Sequence, residues 1–144
     1  EKSSRLYQSL VKKKKLFTEI HCFTMGEFDK GLIVVEGKPV KGVKMADAEA
    51  AIDEELNNLM NGTIADEELN KVKNKVESTI VFSEIDLSGR ALNLAVAEYM
   101  GDVDLINNEL EKYSAVSAAD IQQQARQIFA PTNCSTLYYH AKKN

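Results

Sequence analysis

Two histidines, two cysteines, several acidic pairs and one lysine run are the side chains from which this 144-residue sequence would have to build chemistry. His21 and His140 lie far apart, each in a stretch that reads as a strand. Neither has a His, Cys or carboxylate three or four positions on, the spacing that sets two metal ligands on one helix face. A site drawn from His21, His140 and Cys22 or Cys134 would require the two strands to be neighbours. Satisfied or solvent-facing histidines are the simpler reading. Cys22 and Cys134 read as free, buried thiols acting as small apolar residues; a disulfide would need their Cα atoms within about 7 Å. The pairs Glu54-Glu55, Glu67-Glu68 and Glu109/Glu111 fall on helical faces as solvated surface, not as a general acid and base. Lys12-Lys13-Lys14-Lys15 follows a short helix, where cations complement the dipole of its C-terminus. A phosphate or nucleic-acid patch would want interleaved aromatics and a wider basic surface. Neither a Gly-rich phosphate loop nor a Gly-x-Ser-x-Gly elbow occurs. The residues alone thus argue against an autonomous enzyme.

The elements that would position these side chains are clearer. At the centre stands the stretch from Ala65 to Gly101. Leu69, Val72, Val76 and Ile80 recur at helical spacing, the pattern loosens over Val81, Phe82, Ile85 and Leu87, and it resumes from Ala91 to Tyr99. This predicts two consecutive core helices, bent or broken near 85–89, with Ser88-Gly89 as the interruption. Ahead of them, Ser3 or Ser4 caps a short amphipathic helix through Leu6, Tyr7 and Leu10. Leu16 to Met25 alternates at a period of two and reads as a strand. Gly26-Glu27-Phe28-Asp29-Lys30-Gly31 reads as a turn, and Leu32-Ile33-Val34-Val35 as a second, more buried strand of an antiparallel hairpin ended by Gly37-Lys38-Pro39 and Gly42. Ala46 to Asn61 is a helix with Asn61-Gly62 as its left-handed stop. Asp102 to Tyr113 is a short helix. Ser117 opens another, with Asp120 at near capping-box spacing and Ile121, Ala125, Ile128 and Phe129 inward, until Pro131 forbids continuation. Cys134 to His140 closes the chain as a strand expected in the hairpin's sheet.

The length suits one domain over 1–144, able to bury roughly 68–70% of its unfolded surface. Hydrophobic residues at 44% and charged residues at 28% are ordinary for a folded protein. A net charge of −4 gives no global pull toward nucleic acid or an anionic membrane. No apolar run approaches the roughly 18 residues of a spanning helix, so the chain reads as soluble with no membrane insertion; its compartment stays open between cytoplasm and periplasm. It opens without methionine or a signal segment, as an excised piece of something longer would.

Several stretches carry a family likeness: SSRLYQSLVKKKKLFTEI at 3–20, GLIVVEGKPVKGV at 31–43, EAAIDEELNNL at 49–59, EELNKVKNKVES at 67–78 and GDVDLINNELEKYSAVSAADIQQQARQIFAPTNCSTLYY at 101–139. In order and spacing they resemble the C-terminal-type, non-catalytic module of the pitrilysin/insulinase (processing-peptidase-like) family of zinc metallopeptidases. The resemblance implies an α+β module, an antiparallel sheet packed on several helices, here without the family's first strands and helix. In that family a catalytic module carries an inverted His-x-x-Glu-His zinc motif. A second module without it closes over the first and encloses unfolded peptide. This sequence lacks the motif, so the resemblance makes it the second type: no cofactor of its own, zinc in the partner module, inactive alone.

The same resemblance marks two substrate-binding positions. Active members carry an Arg after the Ser-Arg-Leu helix and a Tyr seven residues later, both reaching toward substrate at the partner's zinc. Val11 and Thr18 stand in those places here. A Thr18 hydroxyl can donate one hydrogen bond and Val11 none. The implied partners are therefore a catalytic peptidase module, in the same longer chain or a separate subunit, and a peptide substrate. A rival reading is a purely structural or interaction subunit, as in the core subunits of a respiratory-chain complex; an unrelated α+β binding domain is the third. Uncovered strand edges or apolar helix faces would make the chain self-associate when alone.

Overall fold

The computed structural model describes residues 2–26, 30–83 and 85–140. Two compact units divide them: the first takes the chain up to Gly62 and again from Ala125, and the second spans Thr63–Gln124.

The first unit opens with a π-helical segment, Tyr7–Lys13. The Ser4 carbonyl accepts from the Gln8 amide at 2.9 Å, and the Ser4 hydroxyl oxygen from the Tyr7 amide at 3.4 Å, so Ser4 is the serine that caps. The widened turn ends with Lys14 N–H bonded to Ser9 C=O at 2.7 Å. Strand β1, Phe17–Met25, then pairs antiparallel with β2, Leu32–Pro39. The turn predicted between them includes residues 27–29, which lie outside the described residues.

β2 runs four residues past its predicted end at Val35, because Glu36, Gly37, Lys38 and Pro39 all keep partners on β1. It is also less buried than its apolar run suggests, with Leu32 exposed and Ile33 to Val35 half-buried. The buried residues of β1 are Phe17 and Ile20, three apart. Strict alternation would send them to opposite faces. The bulge between Phe17 and Glu19, which sit opposite Pro39 and Lys38, restores both to the core side. Gly37 belongs to the same arrangement: a Cβ there would lie 2.6 Å from the Phe17 ring.

Helix α1, Met45–Asn61, covers this hairpin base with Ala48 and Ala51. Leu10, Phe17, Ile20, Ala48 and Ala51 form the core, and Leu6, Tyr7, Val11, Leu16, Val35, Val43 and Ile52 pack around it. The small alanines let α1 approach closely. Gly62 ends α1 in an extended conformation, φ −85° and ψ −177°, not the left-handed stop expected. Glycine is needed there for space, since a Cβ would fall 2.5 Å from the Asn58 carbonyl oxygen.

The second unit holds α2, Asp66–Ser83, α3, Leu87–Tyr99, and α4, Leu105–Ala115. The break between α2 and α3 comes at Asp86 and not at Ser88-Gly89. Its carboxylate accepts from the Ser88 and Gly89 amides at 3.3 and 3.0 Å, which starts a new helix. The left-handed glycine expected at Gly62 occurs at Gly101, φ +85°. There the Gly101 amide bonds the Glu98 carbonyl and the Asp102 amide bonds the Ala97 carbonyl, at 2.9 and 3.1 Å, closing α3 as a Schellman motif. The Asp102 side chain takes the Asp104 amide at 3.0 Å, so α4 starts at Leu105, after its predicted Asp102.

Helices α2 and α3 are not the core elements their apolar stripes predict. α2 has no buried residue among those described and α3 has Ala97 alone. Both pack on α4, and Lys73 of α2 donates to the Ser114 carbonyl at 2.6 Å. Several large side chains where the two helices meet are open to solvent, Phe82 of α2 at 70%, Leu87 of α3 at 82% and Ile85 between them at 70%.

Helix α5, Ala118–Ile128, crosses the unit boundary between Gln124 and Ala125. Pro131 begins a short 3₁₀ turn, Pro131–Asn133. Cys134–His140 follows without regular secondary structure and forms no strand: the sheet contains β1 and β2 alone among the described residues. The predicted third strand fails because its backbone meets no partner edge. What holds it is a side-chain contact to α1, which local periodicity does not encode.

Candidate substrate-facing site

Val11 and Thr18 are carried by the turn from the π-helical segment into β1. That turn is built from three constraints. Leu16 N–H reaches back to the Leu10 carbonyl at 2.9 Å, and Val40 N–H bonds the Leu16 carbonyl at 2.9 Å. Between them Lys15 adopts φ +53°, a left-handed conformation that costs an L-residue about 1–2 kcal/mol.

Val11 lies half-buried against the core cluster. Its side chain packs and offers no hydrogen bond. Thr18 sits at the bulge, exposed, and its hydroxyl donates to the Lys38 carbonyl oxygen at 3.0 Å. Both residues therefore belong to the first unit, flanking one turn. Neither presents a cation or a phenol.

The polar groups beside this turn are engaged in holding it to α1. The Ser9 hydroxyl donates to Glu55 Oε1 at 2.5 Å. The Lys14 ammonium reaches Glu54 at 2.7 Å and Glu55 at 3.3 Å. The Glu54 hydrogen bond is the main reason the Lys14 pKa rises above its ordinary value; desolvation opposes it, and Glu55 adds to the rise. Lys12 places its ammonium 5.8 Å from the centre of the Tyr7 ring. The lysine run thus serves the helix end and the α1 contact. The Glu54-Glu55 pair is a partner of Lys14 and not an acid–base dyad.

The other candidates are dispersed. His21 stands opposite Glu36 on the hairpin. Cys22 and Cys134 are free and exposed, so the thiols are unpaired as expected but not buried. The Cys22 sulfur is nonetheless desolvated enough by its neighbours to titrate above the ordinary thiol range. Among the described residues no three His, Cys, Asp or Glu side chains gather as a metal site, and no helix is long and apolar enough to cross a membrane.

Sequence reasoning missed two features. Lys15 gives no hint of its positive φ, because lysine is not a residue that signals one. The contact between Glu49 and Tyr138 joins positions 89 apart, beyond any local pattern.

Comparison with known proteins now bears on this geometry. Residues 1–76 match the family described as the Peptidase M16 inactive domain. No curated protein matches the chain in sequence. Among solved structures, a protease from Helicobacter pylori superposes with a TM-score of 0.78 at 21% identity, over 88% of this chain and 31% of that one, a likeness of fold alone. A protein assigned as a zinc protease from Bordetella pertussis Tohama I gives 0.73 at 26% identity, over 87% of this chain and 69% of its own. The inactive peptidase domain of a protein assigned as a zinc protease from Bordetella parapertussis gives 0.74 at 25% identity, over 85% and 65%. The chain thus spans less than a third of the first of these structures and about two thirds of the other two. The α+β scaffold shared with these zinc-protease structures agrees with the family model: the chain belongs to the M16 peptidases' inactive-domain family, a non-catalytic module of the pitrilysin/insulinase type.

Proposed function

We propose that this chain closes over a partner catalytic module of a zinc endopeptidase and helps enclose its peptide substrate. The partner, in the same longer chain or a separate subunit, supplies the zinc and the inverted motif. The observation that carries this reading is the match of residues 1–76 to an inactive peptidase domain, in a sequence without His-x-x-Glu-His. Val11 and Thr18 are the positions that would face substrate, contributing shape and at most one hydroxyl. The isolated chain self-associates through the apolar side chains that α2 and α3 leave open.

A second reading is favoured by one specific observation. Val11 is engaged in core packing, and the Thr18 hydroxyl already donates to Lys38. Such a module stabilises an assembly without touching the reacting peptide.

Mixing the chain with a catalytic module that carries the zinc motif, and following cleavage of a fluorogenic peptide, separates the two. Enclosure predicts that hydrolysis rises steeply as the chain is titrated in. A structural subunit predicts co-purification with an unchanged rate. Absence of any association overturns both.

A further inference from the structure

Cys134–His140 has no regular secondary structure and is exposed along its whole length, and among the described residues its backbone joins no hydrogen-bonded ladder. Such a segment ordinarily frays. Here it has a fixed place on α1, and the place is one carboxylate. The Tyr138 hydroxyl donates to Glu49. The Thr136 hydroxyl lies near enough to the same carboxylate to favour its charged form.

Tyr138 bonds Glu49 and Thr136 acts on the same carboxylate, so these alternate residues face α1 together. Leu137 and Tyr139 point away and are 90% and 87% exposed. An ionised carboxylate has about four acceptor sites and can hold both donors. We propose that Glu49 is a carboxylate latch, holding the C-terminal segment Cys134–His140 against α1 through Thr136 and Tyr138 and releasing it when either side of the contact changes its proton.

The direction follows from the partners. The Tyr138 hydrogen bond first, and the Thr136 hydroxyl second, hold the Glu49 carboxyl below its ordinary range. The contact is therefore complete above the ordinary glutamate range and is lost as pH falls through the lowered folded value. The Glu49 hydrogen bond, with lesser help from desolvation and from the charges of Glu49 and Asp53, raises the Tyr138 phenol. That side is complete below the ordinary phenol range and is lost as pH rises through the raised value. Asp53 lies one turn along α1 from Glu49, and the Cys134 sulfur lies 4.0 Å from the Thr136 hydroxyl. The latch is closed across the neutral interval.

Limited digestion with chymotrypsin at neutral pH, with cleavage after Tyr138 and Tyr139 followed by mass spectrometry, reads the latch directly. E49A and Y138F should be cut at least about fivefold faster than the parent chain, because proteolysis reports local opening. Tyr139→Phe, on the open side, should change nothing. Y138F removes a single oxygen, which keeps the test available if E49A folds poorly. A second readout is the Glu49 carboxyl titration by NMR, which should move up toward the ordinary glutamate range in Y138F. Parent-like cleavage of both variants, or a Glu49 titration unmoved by Y138F, overturns the proposal.

Discussion

Ser117 and Asp120 satisfy each other at the start of α5. The Ser117 amide and hydroxyl both donate to Asp120 Oδ2, at 2.8 and 2.6 Å, and the Asp120 amide donates to Ser117 Oγ at 3.2 Å. Each residue thereby occupies donors and acceptors that a helix start would otherwise leave to water.

This box predicts a pH dependence. The Ser117 hydroxyl, and after it the Ser117 amide, hold the Asp120 carboxyl below its ordinary range. A depressed carboxyl stabilises the folded state above its unfolded pKa, and that contribution is lost as pH falls through the folded value. NMR titration of Asp120 should show this lowered value. Ser117→Ala should raise it toward the ordinary range and speed amide exchange in the first turn of α5. An Asp120 titration indifferent to that substitution would contradict the box.

Such local devices are what the sequence makes legible. Ser117 with Asp120, Ser4 ahead of Tyr7, and Pro131 after Phe129 announce element ends through side chains within a few positions of the backbone groups they serve. The features that escaped are non-local or geometric. The bulge at Thr18 places Phe17 and Ile20 on one face against the period-two pattern. Asp86 and Gly101 take the helix-breaking roles that composition offers equally to Gly89 and Gly62. The apolar stripes of α2 and α3 mark surfaces made to be covered, and periodicity cannot say by what. Val11 and Thr18 are assigned to substrate through the family pattern alone. Their packing and hydrogen bonding were not legible, since these depend on α1 and on β2.

Lys15 offers a test of the turn that carries those two positions. At φ +53° its side chain is strained, and glycine would relieve this while losing more backbone entropy on folding. Lys15→Gly is expected to stabilise the chain by about 0.5–1 kcal/mol, read as a higher urea midpoint with an unchanged slope. A lower midpoint would mean that the lysine side chain contributes more than its backbone costs.

Assembly state follows from the open faces. With Phe82, Ile85 and Leu87 at 70% or more exposed, and with a charge of −4 screened beyond about 8 Å at physiological salt, the isolated chain should form a dimer or larger species. Light scattering at micromolar concentration checks this. A clean monomer that also fails to bind an apolar-surface dye would show that the chain covers these residues itself.

The central claim, that this module is non-catalytic and takes its zinc chemistry from a partner, is tested most directly by metal analysis of the purified, chelator-rinsed chain alongside a peptide-cleavage assay. The account predicts zinc far below one equivalent per chain and no hydrolysis above the buffer rate. One tightly held zinc per chain, or cleavage that a chelator abolishes, would contradict it.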